Sequence, residues 1–362
     1  MLPCAAVPEE PFEPLYDAVA LGMWAYTRTA FRVQTLGRFA PRAGLMLVCA
    51  HRAETDVPLI CPSLYCRAGY FRDRAAERIH FAARDDMFDR GFFAGFPGGL
   101  PPRARRFLFP LRAGLILPRV RVHPVPYPGV SVLRLGRVLE WLGPETPLAE
   151  VLPEGLAELF RARARADGRP IPAAAGDVLS GAYADLLWKF CSRDELDAPL
   201  LESVWQRRAA QGAAAVRRLV ELVRAGQVLL IFPEGRPSPD GSLSDFQAGL
   251  ATLVRLGRPE AVQPVGIAYD RLTEGRARAF VSFGPPIEPP AHDVEQALRR
   301  AVARAMPVTC GAVAAARGAL QSGSLTSKPH WRLLPLPDVR RKRRSPRPPV
   351  GAPASPTVCG PL

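Results

Sequence analysis

Asparagine is missing from this chain of 362 residues, and lysine nearly so: 3 of the 48 basic side chains are Lys and 45 are Arg. Together with abundant Ala and Pro, this is the bias of a GC-rich genome, so arginine stands where lysine is more usual. The seven cysteines are scattered and odd in number. Cys61 and Cys66 are too isolated for a zinc site, which usually shows two close pairs, and the pattern fits free thiols in a reducing compartment. No stretch reaches the ~18–20 continuous apolar residues of a spanning helix. The first residues lack a basic n-region and carry Glu9, Glu10 and Glu13, which argues against a cleaved secretory signal. Histidine is also scarce, with five in all.

What is present is a large apolar fraction, 48%, and a net charge of +14. The first supplies ample core for one large or two modest domains. The second favours anionic partners: nucleic acid, a membrane surface or phosphorylated substrates. Half of the charge sits in residues 323–362, where eight basic side chains face one acid, Asp338. That segment is Pro-rich and without periodicity, so it reads as a disordered basic tail.

Residues 15–31, LYDAVALGMWAYTRTAF, read as a helix that either lies in a membrane interface or packs on the core. Residues 44–50 read as a buried strand, with a helix starting near Glu54 and Asp56. The Arg- and Gly-rich stretch 64–106 carries no clear period. Residues 112–129 offer one or two short strands broken by Pro, and 137–200 mix helix and loop. An amphipathic helix spans 203–225 and ends at Gly226. A buried strand, Val228 to Phe232, stops at Pro233. Then come a helix in FQAGLATLVRLG, strands in AVQPVGIAYD and ARAFVSFGPPI, and a helix over 291–305. Strands alternating with helices predict an α/β sheet covered on both faces.

Two short stretches carry chemistry. The first is AHRAETD, where His51 follows the apolar run Leu45-Met46-Leu47-Val48-Cys49 and Asp56 stands five residues later. A histidine at the end of a buried strand is either a hydrogen-bonded core residue or a base at the mouth of a site. The second is FPEGRPSPDG, 232–241, where a strand ends and a turn presents Glu234, Gly235, Arg236 and Ser238. Taken alone this is an ordinary strand exit as readily as a ligand loop.

The order His51-x4-Asp56, then Phe-Pro-Glu-Gly at 232–235, then Phe246-x-x-Gly249, then Pro264-Val265-Gly266, resembles the glycerolipid acyltransferase superfamily, typified by PlsC-like 1-acylglycerol-3-phosphate acyltransferases. The resemblance runs from about Val33 to Ile287 and includes VQTLGRFAPRAGLMLVCAH and VSFGPPI. It implies a mixed, largely parallel sheet flanked by helices, with an N-terminal membrane-associating helix over 1–32 and an acyltransferase domain over 33–310. Residues 137–200 then look like an insertion that reshapes a pocket. It implies transfer of a fatty acyl group from acyl-CoA or acyl carrier protein to a lysophospholipid hydroxyl, most simply 1-acylglycerol-3-phosphate. Glycerol-3-phosphate and other lysolipids are the alternative acceptors. No metal or prosthetic group is implied. The expected setting is the cytoplasmic face of a membrane, bound to an anionic surface without crossing it.

These residues suit that chemistry. An alcohol is a poor nucleophile at neutral pH, and a neutral imidazole can take its proton as it attacks a thioester. Asp56 would hold the tautomer and stabilise the imidazolium. A five-residue step does not put two side chains on one helix face, so the pair needs a turn entering a helix. By the resemblance Glu234 and Gly235 belong to the acceptor site, Arg236 offers a fork to a phosphate, and Arg119 and Arg121 are further phosphate candidates. Two departures stand out: Ala50 replaces the Asn the family often has before its histidine, and Arg236 comes one place early, with Pro237 in the usual Arg position. His80, His123, His292 and His330 show no partner pattern. Trp188, Phe190 and Trp205 read as core or interface. A nucleic-acid-binding protein is the rival reading, supported by RRKRR at 340–344 but by none of the recognition motifs.

Overall fold

A computed structural model describes residues 11–39, 41–53, 55–65, 78–95, 101–127, 129–196, 199–238, 242–270 and 276–309; the basic tail at 323–362 lies outside them. Among the described residues there are nine strands: β1 (Phe31–Gly37), β2 (Leu45–Cys49), β3 (His80–Arg84), β4 (Val122–Val125), β5 (Val132–Arg134), β6 (Phe190–Ser192), β7 (Leu229–Ile231), β8 (Ala261–Asp270) and β9 (Ala277–Phe283). Seven form one sheet in the order β1-β9-β8-β2-β7-β3-β4. Every pairing in it is parallel except β8 with β9. The sheet is thus mixed and largely parallel, as expected from the sequence.

β2 lies near the centre, and its five residues are fully buried because both faces are covered. Its side chains alternate. Leu45, Leu47 and Cys49 join a core with Tyr16, Ala20 and Leu59, beneath helices Glu13–Ala30 and Asp56–Tyr65. Met46, Val48 and Ala50 join a second core with helices Glu202–Arg224, Gly249–Gly257 and Val294–Ala305. Helix Glu13–Ala30 buries Tyr16, Ala20 and Thr27 and turns Ala18, Leu21, Gly22, Ala25 and Arg28 outward, so it packs on the core and still shows a weakly apolar face. Among the described residues no helix is long and apolar enough to cross a membrane.

Residues 137–200 contribute to a third core of their own. Phe160, Leu133, Leu135, Leu139 and Leu196 are among its largest buried members, and an antiparallel β5–β6 pair edges it. Helix Glu202–Arg224 serves two cores at once. Val204 and Trp205 near its start belong to this third core, and Leu219 to Val223 near its end to the sheet. At ~1.5 Å per residue its 23 residues reach roughly 34 Å, enough to run under both.

Where the two parts meet, charges are buried in compensated groups. Asp86 accepts from Arg84 Nε at 2.8 Å and Arg134 Nη2 at 2.7 Å. Asp85 takes guanidinium hydrogens from both Arg137 and Arg208, and Arg137 Nε also reaches Asp89 at 2.6 Å. Arg208 is wholly buried, and its Nη2 donates to the carbonyl of Gly129 at 2.9 Å. Burial pushes Asp86 up, but Arg84 and Arg134 outweigh it and hold its carboxyl below the usual range. Burial likewise raises Asp89 to about 7, against the pull of Arg137 and with help from the neighbouring Asp85 and Asp86 carboxylates. Arg134 also lies over the rings of Trp188, at 4.0 Å, and Phe190, at 3.5 Å, so these two aromatics are cation platforms at this junction.

Candidate active site

The site forms at the carboxyl ends of β2, β7 and β8, where ligands bind in open α/β sheets. Ala50 N–H makes the last rung to β8, donating to Val265 O at 3.0 Å. His51 follows, and its backbone is held on both sides. Its N–H donates to Glu234 Oε1 at 2.7 Å, and its carbonyl accepts from Ser238 N–H at 3.0 Å. Its imidazole rests on the Phe232 ring, with centroids 4.5 Å apart.

His51 Nδ1 is 2.9 Å from Asp56 Oδ2, and Asp56 is fully buried. The same carboxylate oxygen accepts from the backbone N–H groups of Arg52, at 2.5 Å, and Ala53, at 3.0 Å. This explains the five-residue spacing. Asp56 opens helix Asp56–Tyr65, and the turn from His51 folds back over its side chain. One carboxylate closes the turn and orients the ring. Its other oxygen accepts from Tyr269 Oη at 2.6 Å, and Tyr269 Oη is 2.8 Å from Thr55 Oγ1. The tyrosine proton is spent on Asp56, so Thr55 donates to the tyrosine. Four donors fill a side chain that only accepts. Nδ1 of His51 therefore carries the proton, and Nε2 is the nitrogen with a lone pair.

A family model for acyltransferases matches residues 186–268, which takes in β7, the 232–235 turn and most of β8. That span is similar to the acyltransferase family. The match begins beyond His51, which lies on a strand outside the matched span that parallel pairing brings beside β7 and β8. The chain is also similar to the crystal structure of the 1-acyl-sn-glycerophosphate (LPA) acyltransferase, PlsC, from Thermotoga maritima. That likeness has 14% identity and a TM-score of 0.37 and covers 85% of this chain and 83% of that one. No curated protein matches the chain.

The other residues singled out from the sequence divide into two groups. Glu234 is at the site and buried, but both its oxygens are occupied by backbone donors, His51 N–H and Ser244 N–H at 2.8 Å. Its contacts are those of a clamp between the His51 strand end and the 242–246 loop. Gly235 has φ +72°, a left-handed turn that glycine adopts without strain, and its N–H closes on Phe232 O. Arg236 is exposed on the loop whose two neighbours, Glu234 and Ser238, hold the His51 backbone.

Arg119 and Arg121, the further phosphate candidates, are not at this edge. Strand register sets Arg121, just before β4, level with His80 and Met46, five residues before His51. At ~3.3 Å per residue that is roughly 16 Å down the sheet. Arg119 lies in the 3-10 turn Leu117–Val120 that precedes it. Arg121 instead hydrogen-bonds Arg78 O at 3.2 Å and pairs with Glu13 at 3.7 Å.

His80 and His123, for which the sequence shows no partner, partner each other: Nδ1 of the first is 2.8 Å from Nε2 of the second. Tyr269 and Thr55 were also not legible as site residues. β8 has ten residues against the five of β2, and its overhang carries Tyr269 four places past the last β2 rung. Only the strand order reveals that.

Proposed function

We propose that the protein transfers a fatty acyl group from an acyl-CoA or acyl-carrier-protein thioester to the free hydroxyl of a lysophospholipid, with 1-acylglycerol-3-phosphate as acceptor and phosphatidic acid as product. The observation that carries this is the His51 Nδ1–Asp56 pair at 2.9 Å, on a strand end tied directly to the Phe-Pro-Glu-Gly loop.

In this reading Nε2 of His51 takes the hydroxyl proton as the acceptor oxygen attacks the thioester carbonyl. Asp56 stabilises the imidazolium that results, and Tyr269, Arg52 N–H and Ala53 N–H keep the carboxylate in place. The tetrahedral intermediate collapses, the carbon–sulfur bond breaks, and the imidazolium proton goes to the leaving thiolate. An ester and a free thiol result. Arg236, on the loop that holds His51, is the guanidinium assigned to the acceptor phosphate. The enzyme works on the cytoplasmic face of a membrane, bound to its anionic surface without crossing it, with helix Glu13–Ala30 and the 323–362 tail adding to that attachment.

Incubating the protein with a panel of lysolipids, glycerol-3-phosphate and both classes of acyl thioester, then identifying products by mass spectrometry, tests the proposal. Phosphatidic acid from the lysophosphatidate arm, absent with His51→Ala, is the expected result. Turnover of glycerol-3-phosphate alone moves the acceptor assignment. No acyl transfer in any arm overturns the reading.

A further inference from the structure

From Arg90 to Leu139 the sequence holds nine Arg and no Asp or Glu. Within that stretch helix Pro102–Leu108 and two 3-10 turns, Ala113–Leu115 and Leu117–Val120, follow one another along the surface. Four large apolar side chains point outward from them: Phe107 is 77% exposed, Leu115 57%, Ile116 47% and Leu111 46%. Between them stand the exposed Arg103, Arg106, Arg112 and Arg119. Arg106 and Arg112 reach acids only at 3.8 and 3.9 Å, Asp167 and Glu140.

The strip is not a loose loop. Phe109, Ala113, Pro118 and Val120 alternate with the exposed residues and are buried. A Cβ on Gly114 would lie 2.6 Å from Phe88 O, so the chain is pressed against the sheet-end turn Asp85–Phe88. The strip continues into Phe12, 57% exposed, whose N–H donates to Arg119 O. Phe12 leads into helix Glu13–Ala30 with its exposed Leu21, and Val120 and Tyr16 share one core. Strip and helix therefore cover the same side of the sheet.

We infer that this strip, 103–119, is the surface that seats the enzyme on an anionic lipid bilayer, with Phe107, Leu111, Leu115 and Ile116 entering the acyl–headgroup boundary and the arginines meeting lipid phosphates. Aromatic and aliphatic side chains interleaved with basic ones are what an interface between hydrocarbon and anionic headgroups selects. A second copy of the chain is disfavoured as occupant, because an acid-free strip would set arginine against arginine. The inference rests on the lysolipid reading, since such an acceptor resides in a bilayer. It differs from attachment by the 323–362 tail, which is electrostatic and fades with salt.

The test is partition of the full chain onto phosphatidylcholine vesicles containing roughly a third phosphatidylglycerol, at low salt and at about 0.5 M salt, where tail attraction is screened. Phe107→Ser/Leu111→Ser/Leu115→Ser/Ile116→Ser should lower partition at least about tenfold at both salts, with melting temperature and activity on detergent-dispersed substrate unchanged. Arg103→Gln/Arg106→Gln/Arg112→Gln should weaken it at low salt only. Should the quadruple variant aggregate, Phe107→Glu alone should give the same direction. Unchanged partition in a folded variant overturns the inference, as does a wild-type dimer that the quadruple variant converts to monomer without loss of partition. Vesicle binding is read without turnover, so a wild-type protein that binds but transfers no acyl group refutes the functional reading and leaves this one standing.

Discussion

The sheet holds two histidine arrangements, one at each edge, and they differ in the charge of their company. At the carboxyl edge His51 faces a buried carboxylate fixed by four donors. Towards the amino edge His80 faces His123, and Arg121 lies 3.4 Å from its other nitrogen. Burial is the main force on the second pair, with the nearby arginines adding to it. His80 is pushed down to about 3 by burial, His123 and Arg121, and His123 to about 4 by burial, Arg218 and Arg121. A general base must accept a proton during turnover, and the surroundings must welcome the positive charge. A carboxylate faces His51, whereas arginines stand beside His80. Scarcity of histidine is therefore no guide to which one reacts. The partner decides.

The sharpest way to break this comparison is to remove each histidine in turn. His51→Ala should lower kcat about 10³- to 10⁴-fold with circular dichroism unchanged, whereas His80→Gln should keep most activity in whatever protein folds. Comparable losses from the two variants would dissolve the distinction.

Next in size are the groups that hold the proposed base, His51. Asp56→Asn should cut kcat about 10²- to 10³-fold, with a smaller change in KM. Tyr269→Phe removes one hydrogen bond to a charged group, ~1.5–3 kcal/mol, and should cost about ten- to a hundredfold in kcat while the acceptor KM stays put. A KM effect without a kcat effect would make Tyr269 a binding residue instead.

The arginines at the two edges extend the comparison to binding. Arg236→Ala should raise the acceptor KM about ten- to a hundredfold and leave the acyl-donor KM nearly alone. Arg121→Ala should leave both KM values unchanged and lower the melting temperature, since it removes contacts to Arg78 O and Glu13 far from the base. Steady-state kinetics with each substrate varied separately distinguishes the two outcomes.

The smallest effect is on stability against pH. The His80–His123 pair stays neutral when folded, with pKa values near 3 and 4, but takes protons near 6.5 when unfolded. The unfolded state then binds more protons below 6.5, so the pair destabilises the fold as pH falls from about 6.5 towards 4. Asp89, raised to about 7, acts in the other direction, since the folded state holds its proton longer and stability drains as pH rises from about 4 to 7. Thermal melts of wild type, His80→Gln/His123→Gln and Asp89→Asn across that window should show opposite changes of slope. Parallel curves would mean that neither group's burial is felt.

Much of the local structure was legible beforehand because its signals are local. Five successive apolar residues bounded by a turn mark β2, and the 3.6-residue spacing of Val204, Leu219, Leu222 and Val223 marks the long helix. The apolar run from Ala261 to Tyr269, with Val262, Val265, Ile267 and Tyr269, marks β8. The His51–Asp56 spacing even required the turn that the structure contains. β3 was hidden in an Arg- and Gly-rich stretch, because its partners β7 and β4, not its own composition, make it a strand. The same holds for Asp85 and Asp86, which look like solvated acids until Arg134, Arg137 and Arg208 arrive from later segments.

The amino-acid order by itself determined the central strands and the long helix, that a histidine stands at the end of the most apolar strand, and that a carboxylate lies one turn beyond. Only the tertiary structure decided which edge of the sheet each residue occupies. Strand order and register placed Tyr269 over Asp56, drew Glu234 to the His51 backbone, sent Arg119 and Arg121 to the opposite edge, and joined His80 to His123. The physical reason is range. Turn chemistry and periodicity act over a few residues, whereas these contacts join positions from 43 to more than 200 apart, and nothing short of the paired sheet brings them within hydrogen-bonding distance.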